Sequence, residues 1–355
     1  MKIAQIAPLF EAVPPRLYGG TERVVASICD ALVKAGHQVD LYASGDSQSK
    51  ARLIPCRERA LRLDPAPLKS DIAAHYTLLD EVRRHAGEYD ILHFHTDMLH
   101  FPFFEPIASK TLTTLHGRLD MADLPNAFKR WRQFPLVSIS NDQRRALPGA
   151  NWAGTVYHGL DPALYRFNPN PQGGYLAFLG RISPEKRPDR AIAIARKAGI
   201  PLKIAAKVDA ADLNYYNDVI KPLLNQADVE FIGEITDAQK NDFLGNALAL
   251  LFPVDWPEPF GLVMIEAMAC GTPVIAWRCG SVPEIIEPGR NGFIVTDEHQ
   301  AAAACHAATT LDRAKVREAF DMRFTSDVMA EHYLKLYKRL AASANDDNLM
   351  ESQVG

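Results

Sequence analysis

The feature that most constrains this chain is a rhythm. Short apolar or β-branched runs alternate, along nearly the whole sequence, with stretches long enough to form a helix. Lys2–Ala7 is such a run. Thr21–Ala35 follows it, with Val24, Val25, Ile28, Ala31 and Leu32 at helical spacing and Gly36 to stop the helix, and Gln38–Ala43 is the next run. Strand, helix and strand in that order make a parallel βαβ unit, because parallel neighbours need a long crossover and a helix supplies it. The beat continues at Ile91–Phe94, Thr111–Leu115 and Leu136–Ser140. It resumes at Tyr175–Gly180, Leu202–Ala206, Val229–Ile232, Ala249–Phe252, Val274–Ala276 and Gly292–Val295, with helices expected at Pro188–Lys197 and Leu262–Ala269. The fold class expected is α/β, with doubly wound parallel sheets.

One interruption divides the series. Asp161–Gly174, DPALYRFNPNPQGG, is rich in Pro, Gly and Asn and carries no apolar periodicity, so it reads as a linker. At roughly 150 residues per domain, 355 residues suit two domains. The expected boundaries are 1–165 and 166–324. A final amphipathic helix follows over about 325–340, where Val328, Met329, Tyr333, Leu336 and Tyr337 share one side, and then a polar, frayed tail over 341–355. Open α/β sheets bind ligands beyond the carboxyl ends of their strands, so function is sought there.

Composition removes several classes. With 39 Lys+Arg against 43 Asp+Glu and a net charge of −4, the chain lacks the basic field that nucleic acid requires. No run approaches the length of a spanning helix, and MKIAQIAPLF reads as a strand with none of the regions of a signal peptide, so a cytoplasmic protein is expected. Cys29, Cys56, Cys270, Cys279 and Cys305 are scattered and read as free thiols. There is no Asp-x-Asp pair, P-loop, Gly-x-Ser-x-Gly or Gly-x-Gly-x-x-Gly, and His93 and His95, though alternate on a strand, have no third ligand in register. No metal and no resident cofactor are expected.

Four places carry candidate chemistry. In EPFGLVMIE, Pro257 and Pro259 hold Glu258 extended, Gly261 permits close approach, and a helix starts at once; its free N–H groups suit a phosphate. Glu258 and Glu266 can face sugar and ribose hydroxyls, or be surface carboxylates on a core-packing helix. Gly180-Arg181, followed by Lys186, stands between a strand and a helix, where fixed cations neutralise a diphosphate. Tyr18-Gly19-Gly20 precedes the first helix. His116 and His158 each follow a strand and precede a glycine, as ligand contacts or as structural hydrogen-bonders.

Taken together, Gly19 and Gly20, His116, Gly180-Arg181 with Lys186, and the two glutamates within EPFGLVMIEAMACGTPVIA make the chain resemble a family 4 retaining glycosyltransferase of GT-B fold, in the right order from Lys2 to about Leu340. The resemblance implies two Rossmann-like domains and transfer of a hexosyl unit from a nucleoside-diphosphate sugar, UDP-linked or else GDP-mannose, to a hydroxyl of a glycan, lipid-linked or small-molecule acceptor, with retention and without a metal. It implies that Arg181 and Lys186 hold the diphosphate, that Glu266 meets the ribose and Glu258 the transferred sugar, and that the N–H groups of Phe260, Gly261, Leu262 and Val263 meet sugar and phosphate. Gly233, Glu234 and Ile235 would line the base, Gly20 would let the first domain close, and His116 would contact the sugar near its reacting carbon. It also sends the last helix back onto the first domain. His158-Gly159 departs from the Asn-Gly of many relatives, and Lys207 stands where relatives have a glycine-rich turn, as a phosphate contact or a solvated cation.

A sugar phosphorylase or nucleotide-sugar epimerase of the same fold, and a non-catalytic nucleotide-sugar binder, are the alternative functions. The basic cluster Lys50, Arg52, Arg57, Arg59 and Arg62, and Phe128–Phe134 (FKRWRQF), are read as solvated faces or as a peripheral contact with a membrane.

Overall fold

The structure is a computed structural model, and it describes residues 1–17, 19–225 and 228–342, together with the backbone of the last helix to Val354. The chain forms two compact units. Met1–Gly159 and Ser326–Gly355 make the first, and Leu160–Thr325 the second.

The first unit is built on seven parallel strands: β1 Lys2–Ile6, β2 Gln38–Ser44, β3 Arg52–Arg57, β4 Ile91–Phe94, β5 Thr111–Thr114, β6 Leu136–Ser138 and β7 Trp152–Thr155, in the spatial order β3-β2-β1-β4-β5-β6-β7. The order reverses between β1 and β4. The loops leaving their carboxyl ends therefore diverge to opposite faces and leave a crevice, the usual ligand position in such sheets. Strands β1 and β4 are buried through most of their length, as expected of central parallel strands that read as continuous apolar runs. The edge strand β3 went unanticipated. Its short apolar stretch Leu53–Cys56 is broken by Pro55 and flanked by arginines, and Pro55 is tolerated there because an edge strand leaves one row of N–H groups unpaired.

The helix Gly20–Lys34 buries Val24, Val25, Ile28, Leu32 and Cys29 against this sheet. The helix Ser326–Val354 belongs to the same unit and places Met329, Tyr333, Leu336 and Tyr337 in its core. From residue 343 onward, the expected tail lies outside the described side chains.

The second unit has six parallel strands: β8 Leu176–Arg181, β9 Leu202–Lys207, β10 Val229–Gly233, β11 Ala249–Phe252, β12 Val274–Trp277 and β13 Gly292–Val295, ordered β10-β9-β8-β11-β12-β13. Here the reversal lies between β8 and β11. The helix Leu262–Ala269 is buried nearly all round, with Met264, Ile265, Ala267 and Met268 inaccessible to solvent, which is why its sequence shows no polar stripe.

The segment Asp161–Gly174 is not a free connector. Asn168 N–H donates to the Cys270 carbonyl at 3.1 Å, Gly173 N–H donates to the Asn246 carbonyl at 3.1 Å, and Arg313 Nε donates to the Asn168 carbonyl at 2.7 Å. Pro and Asn exclude regular structure here but leave the backbone able to be pinned by neighbours that sequence proximity does not reveal. All five cysteines are free. Among the described residues, no helix is long and apolar enough to cross a membrane.

Candidate functional site in the second unit and a buried histidine network in the first

At the β8/β11 reversal two loops meet. The loop after β8 carries Ser183–Arg187, and the loop after β11 carries Asp255–Gly261. Asp255 N–H donates to the Glu185 carbonyl at 2.8 Å, and Arg187 reaches Asp255 at 2.7 Å. Arg187 has φ +54°, a left-handed conformation that costs a non-glycine residue about 1 kcal/mol or more; its ion pairs with Asp255 and Asp189 hold it there. This clasp sets Lys186 against Glu258. The two form a short ion pair, both nearly buried, while Trp256 Nε1 donates to the same Glu258 oxygen at 2.8 Å and the ammonium lies 5.1 Å from the Trp256 ring centre.

Arg181 ends β8, and in the sheet register it pairs with Lys207, which ends β9. Three carboxylates surround Arg181: Glu185 at 3.2 Å, Asp209 at 3.7 Å and Asp212 at 4.0 Å. Lys207 pairs with Asp209 at 2.5 Å. The cations expected from the sequence are thus brought to one edge, each already neutralised within the unit. Gly180 adds no bulk beside them.

Gly261 caps the helix Leu262–Ala269 with φ +82°. A Cβ there would lie 2.8 Å from the Phe252 ring and 2.9 Å from the Met264 methyl, so both its conformation and its packing require glycine. Phe260 is buried ahead of it, and Leu262 and Val263 are half-exposed at the helix start. Gly261→Ala is expected to lose about 1–3 kcal/mol from the backbone alone, read as a thermal midpoint several degrees lower; an unchanged midpoint would contradict this account of the loop.

Glu266, buried within the helix, accepts from Tyr165 Oη at 3.0 Å and pairs with Lys240 at 2.7 Å. β10 ends at Gly233 with φ +76°, and exposed Glu234 and buried Ile235 follow it, which places a turn at the same carboxyl edge of the sheet.

Several residues here escaped sequence reasoning: Trp256, Tyr165, Lys240, and the pair Gly280-Ser281. Gly280 runs so close to Glu258 that any Cβ would collide with its backbone. Ser281 N–H donates to the Glu258 carbonyl at 3.0 Å and its Oγ donates to the Phe260 carbonyl at 2.8 Å. The only local signal was a Cys-Gly-Ser turn directly after β12.

In the first unit, Gly19 is extended (φ 175°). It is needed for space, since a Cβ would sit 2.7 Å from Pro15 Cβ, and Gly20 opens the first helix. Tyr18 lies outside the described residues. His116 and His158 stack with centres 5.1 Å apart, and His116 Nε2 lies 2.8 Å from His95 Nδ1. Both ring nitrogens of His93 and of His95 are engaged in hydrogen bonds. Burial holds His93, His95 and His158 well below the ordinary imidazole value and His116 at about 3.

The basic clusters are largely solvated, and several of their arginines have acidic partners within the unit. Arg52 pairs with Asp40 at 2.5 Å, Arg57 with Asp64 at 2.5 Å and Arg62 with Glu11 at 2.7 Å. Phe128 and Phe134 are core residues, and Trp131 packs against that core. The interleaving of aromatics and cations in FKRWRQF is thus the two-sidedness of a short amphipathic segment, with the rings inward.

Comparison with known proteins identifies the family and the fold. The family model described as Glycosyltransferase Family 4 matches residues 18–199, and that described as Glycosyl transferases group 1 matches residues 166–323. Among curated relatives, a D-inositol 3-phosphate glycosyltransferase of Rhodococcus erythropolis is 26% identical, over 89% of this chain and 86% of its own. Among solved structures, AviGT4, a glycosyltransferase involved in avilamycin A biosynthesis, superposes with a TM-score of 0.75 at 24% identity over 96% of this chain and 98% of its own. Anabaena HepE in complex with UDP and glucose superposes with a TM-score of 0.74 at 20% identity, over 96% and 100%.

Proposed function

Because the chain belongs to glycosyltransferase family 4, we propose that it transfers a hexosyl unit from a nucleoside-diphosphate sugar to a hydroxyl acceptor, with retention of configuration and without a metal. A UDP-sugar is the favoured donor; the solved relative with UDP and glucose supports that choice. The observation that carries the reading is the constellation at the β8/β11 reversal: Arg181 and Lys186 on one loop, with Glu258 and the Gly261-capped helix start on the other.

The ion pairs at this site indicate how binding proceeds. A diphosphate carries more charge than the single Glu258 carboxylate, so it draws Lys186 away and leaves Glu258 free to accept from the sugar's hydroxyls. Trp256 keeps Glu258 oriented during the exchange. Arg181 is released from Glu185, Asp209 and Asp212 in the same way, and Lys207 is poised to follow. The helix start at Phe260–Val263 adds its N–H groups and dipole. Glu266 takes the ribose hydroxyls, and the Gly233–Ile235 turn takes the base.

As the bond to the anomeric carbon breaks, negative charge grows on the departing phosphate oxygen, and the same cations stabilise it. The acceptor oxygen bonds the anomeric carbon on the face where the phosphate leaves, and the departing phosphate oxygen takes the acceptor's proton, which yields retention without a protein nucleophile.

The test is a thermal-shift panel of UDP, GDP, ADP and their sugar conjugates, with and without EDTA. At about 100 times its Kd a ligand adds roughly 2.7 kcal/mol to the state it binds. The expected result is an upward shift of several degrees with one nucleotide family, unchanged by EDTA. No shift with any of them would remove the proposed donor site, and a shift abolished by EDTA would remove the metal-free mechanism.

A further inference from the structure

At the reversal point of the first sheet lies a chain of buried polar side chains that no motif announced. His116 Nε2 meets His95 Nδ1 at 2.8 Å, His95 Nε2 meets Gln5 Oε1 at 2.8 Å, Gln5 Nε2 donates to Tyr337 Oη at 3.0 Å, and Tyr337 Oη meets His93 Nδ1 at 2.8 Å. His93 Nε2 then meets Thr114 Oγ1 at 2.8 Å, and Thr114 meets Tyr333 Oη at 2.8 Å. Gln5 is on β1, His93 and His95 on and just after β4, Thr114 and His116 on and just after β5, and the two tyrosines are on the last helix. Every member except His116 is at most 3% exposed.

Such a chain has a direction. The Gln5 amide points its nitrogen at Tyr337 and its oxygen at His95, and an amide oxygen only accepts, so His95 carries its proton on Nε2. His95 is held neutral by burial, so its Nδ1 is then an acceptor, and the proton between it and His116 belongs to His116 Nε2. His116 Nδ1 is thereby left as a bare acceptor. That atom is buried and has no hydrogen-bond partner among the described residues. A buried polar atom without a partner costs free energy, and such an atom calls for an explanation, often a ligand group that fills it.

We propose that Gln5, His95 and Tyr337 are positioning residues that lock His116 in the Nε2–H tautomer, so that its Nδ1 accepts a hydrogen bond from a substrate hydroxyl. The inference rests on the proposed transferase reading for the identity of that hydroxyl, which belongs to the transferred sugar or to the acceptor. It gives the last helix a task beyond packing: Tyr337 Oη accepts from the Gln5 amide nitrogen at 3.0 Å and so helps to hold the amide with its oxygen toward His95.

The test uses the full chain carrying isotope-labelled histidine and reads the protonation of each ring nitrogen by nitrogen NMR. In the wild type, His116 and His95 are each expected to be neutral and protonated on Nε2. In Gln5→Glu the carboxylate stabilises a proton on both nitrogens of His95, which then donates from Nδ1 and forces the His116 proton onto Nδ1. Tyr337→Phe, a milder change should Gln5→Glu fail to fold, frees the amide to rotate, and His116 then populates both tautomers. A wild-type His116 protonated on Nδ1 overturns the proposal, as does a His116 tautomer unmoved in both variants.

Nucleotide release from UDP-glucose on the same samples separates this inference from the one beneath it. At least tenfold slower release in Gln5→Glu supports the positioning role, and an unchanged rate beside a switched tautomer overturns it. A wild type that binds no nucleotide sugar counts against the proposed function and leaves the tautomer result standing.

Discussion

Replacing Lys186 by Ala is expected to lower kcat by two to three orders of magnitude, because an electrostatic donor aimed at developing charge is worth roughly 2.7–4 kcal/mol in the transition state. The structure complicates the experiment. Lys186 is the ionic partner of Glu258, whose side chain is only 10% exposed, and removing one member of a nearly buried pair strands the other at a cost of about 3–5 kcal/mol. Lys186→Ala alone therefore confuses unfolding with lost chemistry. The pair of variants Lys186→Gln and Lys186→Gln with Glu258→Gln separates them. The double variant carries no stranded charge and should melt close to the wild type, yet it should remain as inactive as the single one. Turnover within threefold of wild type in a folded Lys186→Gln protein would dismiss Lys186 from the chemistry. Arg181 provides a contrast, since its three carboxylates are more exposed than Glu258 and Asp209 keeps Lys207 as a partner.

Acidification from pH 7 to pH 5 is expected to unfold the first unit while the second stays folded. His93, His95, His100, His116 and His158 all sit in the first unit, and burial lowers every one of them. A histidine whose folded value is depressed contributes stability that is fully present above its unfolded value near 6.5 and is lost as pH falls toward the folded value, which for His116 is about 3. Below 6.5 each such group costs about 1.4 kcal/mol per pH unit. The five act in the same direction, against a total stability on the order of 5–15 kcal/mol.

Glu22 acts in the opposite sense. Burial raises it to about 7, so its contribution is present below its ordinary value of 4.5 and fades as pH rises through about 7. Asp97, raised by burial to about 6, acts the same way over the lower part of the range, and the two offset only part of the histidines' combined effect. The histidines of the second unit, His299 and His306, are exposed. Hydrogen exchange followed by mass spectrometry across a pH series should show protection failing first in β1, β4 and β5. Simultaneous loss in both units, or full protection of the first unit below pH 4, would refute the argument.

Much of this protein is legible in local sequence. Central parallel strands are buried on both faces, so β1, β4, β8, β11 and β12 appear as apolar runs, and the helix Leu262–Ala269 is legible to the residue because Gly261 and Cys270-Gly271 punctuate it. The edge strand β3 was not legible, since an edge need not be apolar. Asp161–Gly174 misled for a related reason: its composition excludes helix and strand and says nothing about what its backbone bonds to.

The candidate site divides in the same way. Arg181, Lys186, Glu258, Gly261 and Glu266 stand in contiguous motifs beside strand ends, where spacing along the chain is spacing in space. Their partners do not: Lys240 and Tyr165 reach Glu266 from 26 and 101 residues away, and Gly280 makes room beside Glu258 from another strand's turn.

By itself, then, the sequence determined which residues bear charge, which segments could be central strands, and which turns require glycine, because those properties are local. Only the tertiary structure decided which charges neutralise one another and which way a buried hydrogen-bonded chain points. Gln5 and Tyr337 lie 332 residues apart, and their meeting depends on the last helix packing against β1 and β4. A hydrogen bond takes its direction from both partners, and burial removes the water that would otherwise satisfy either one.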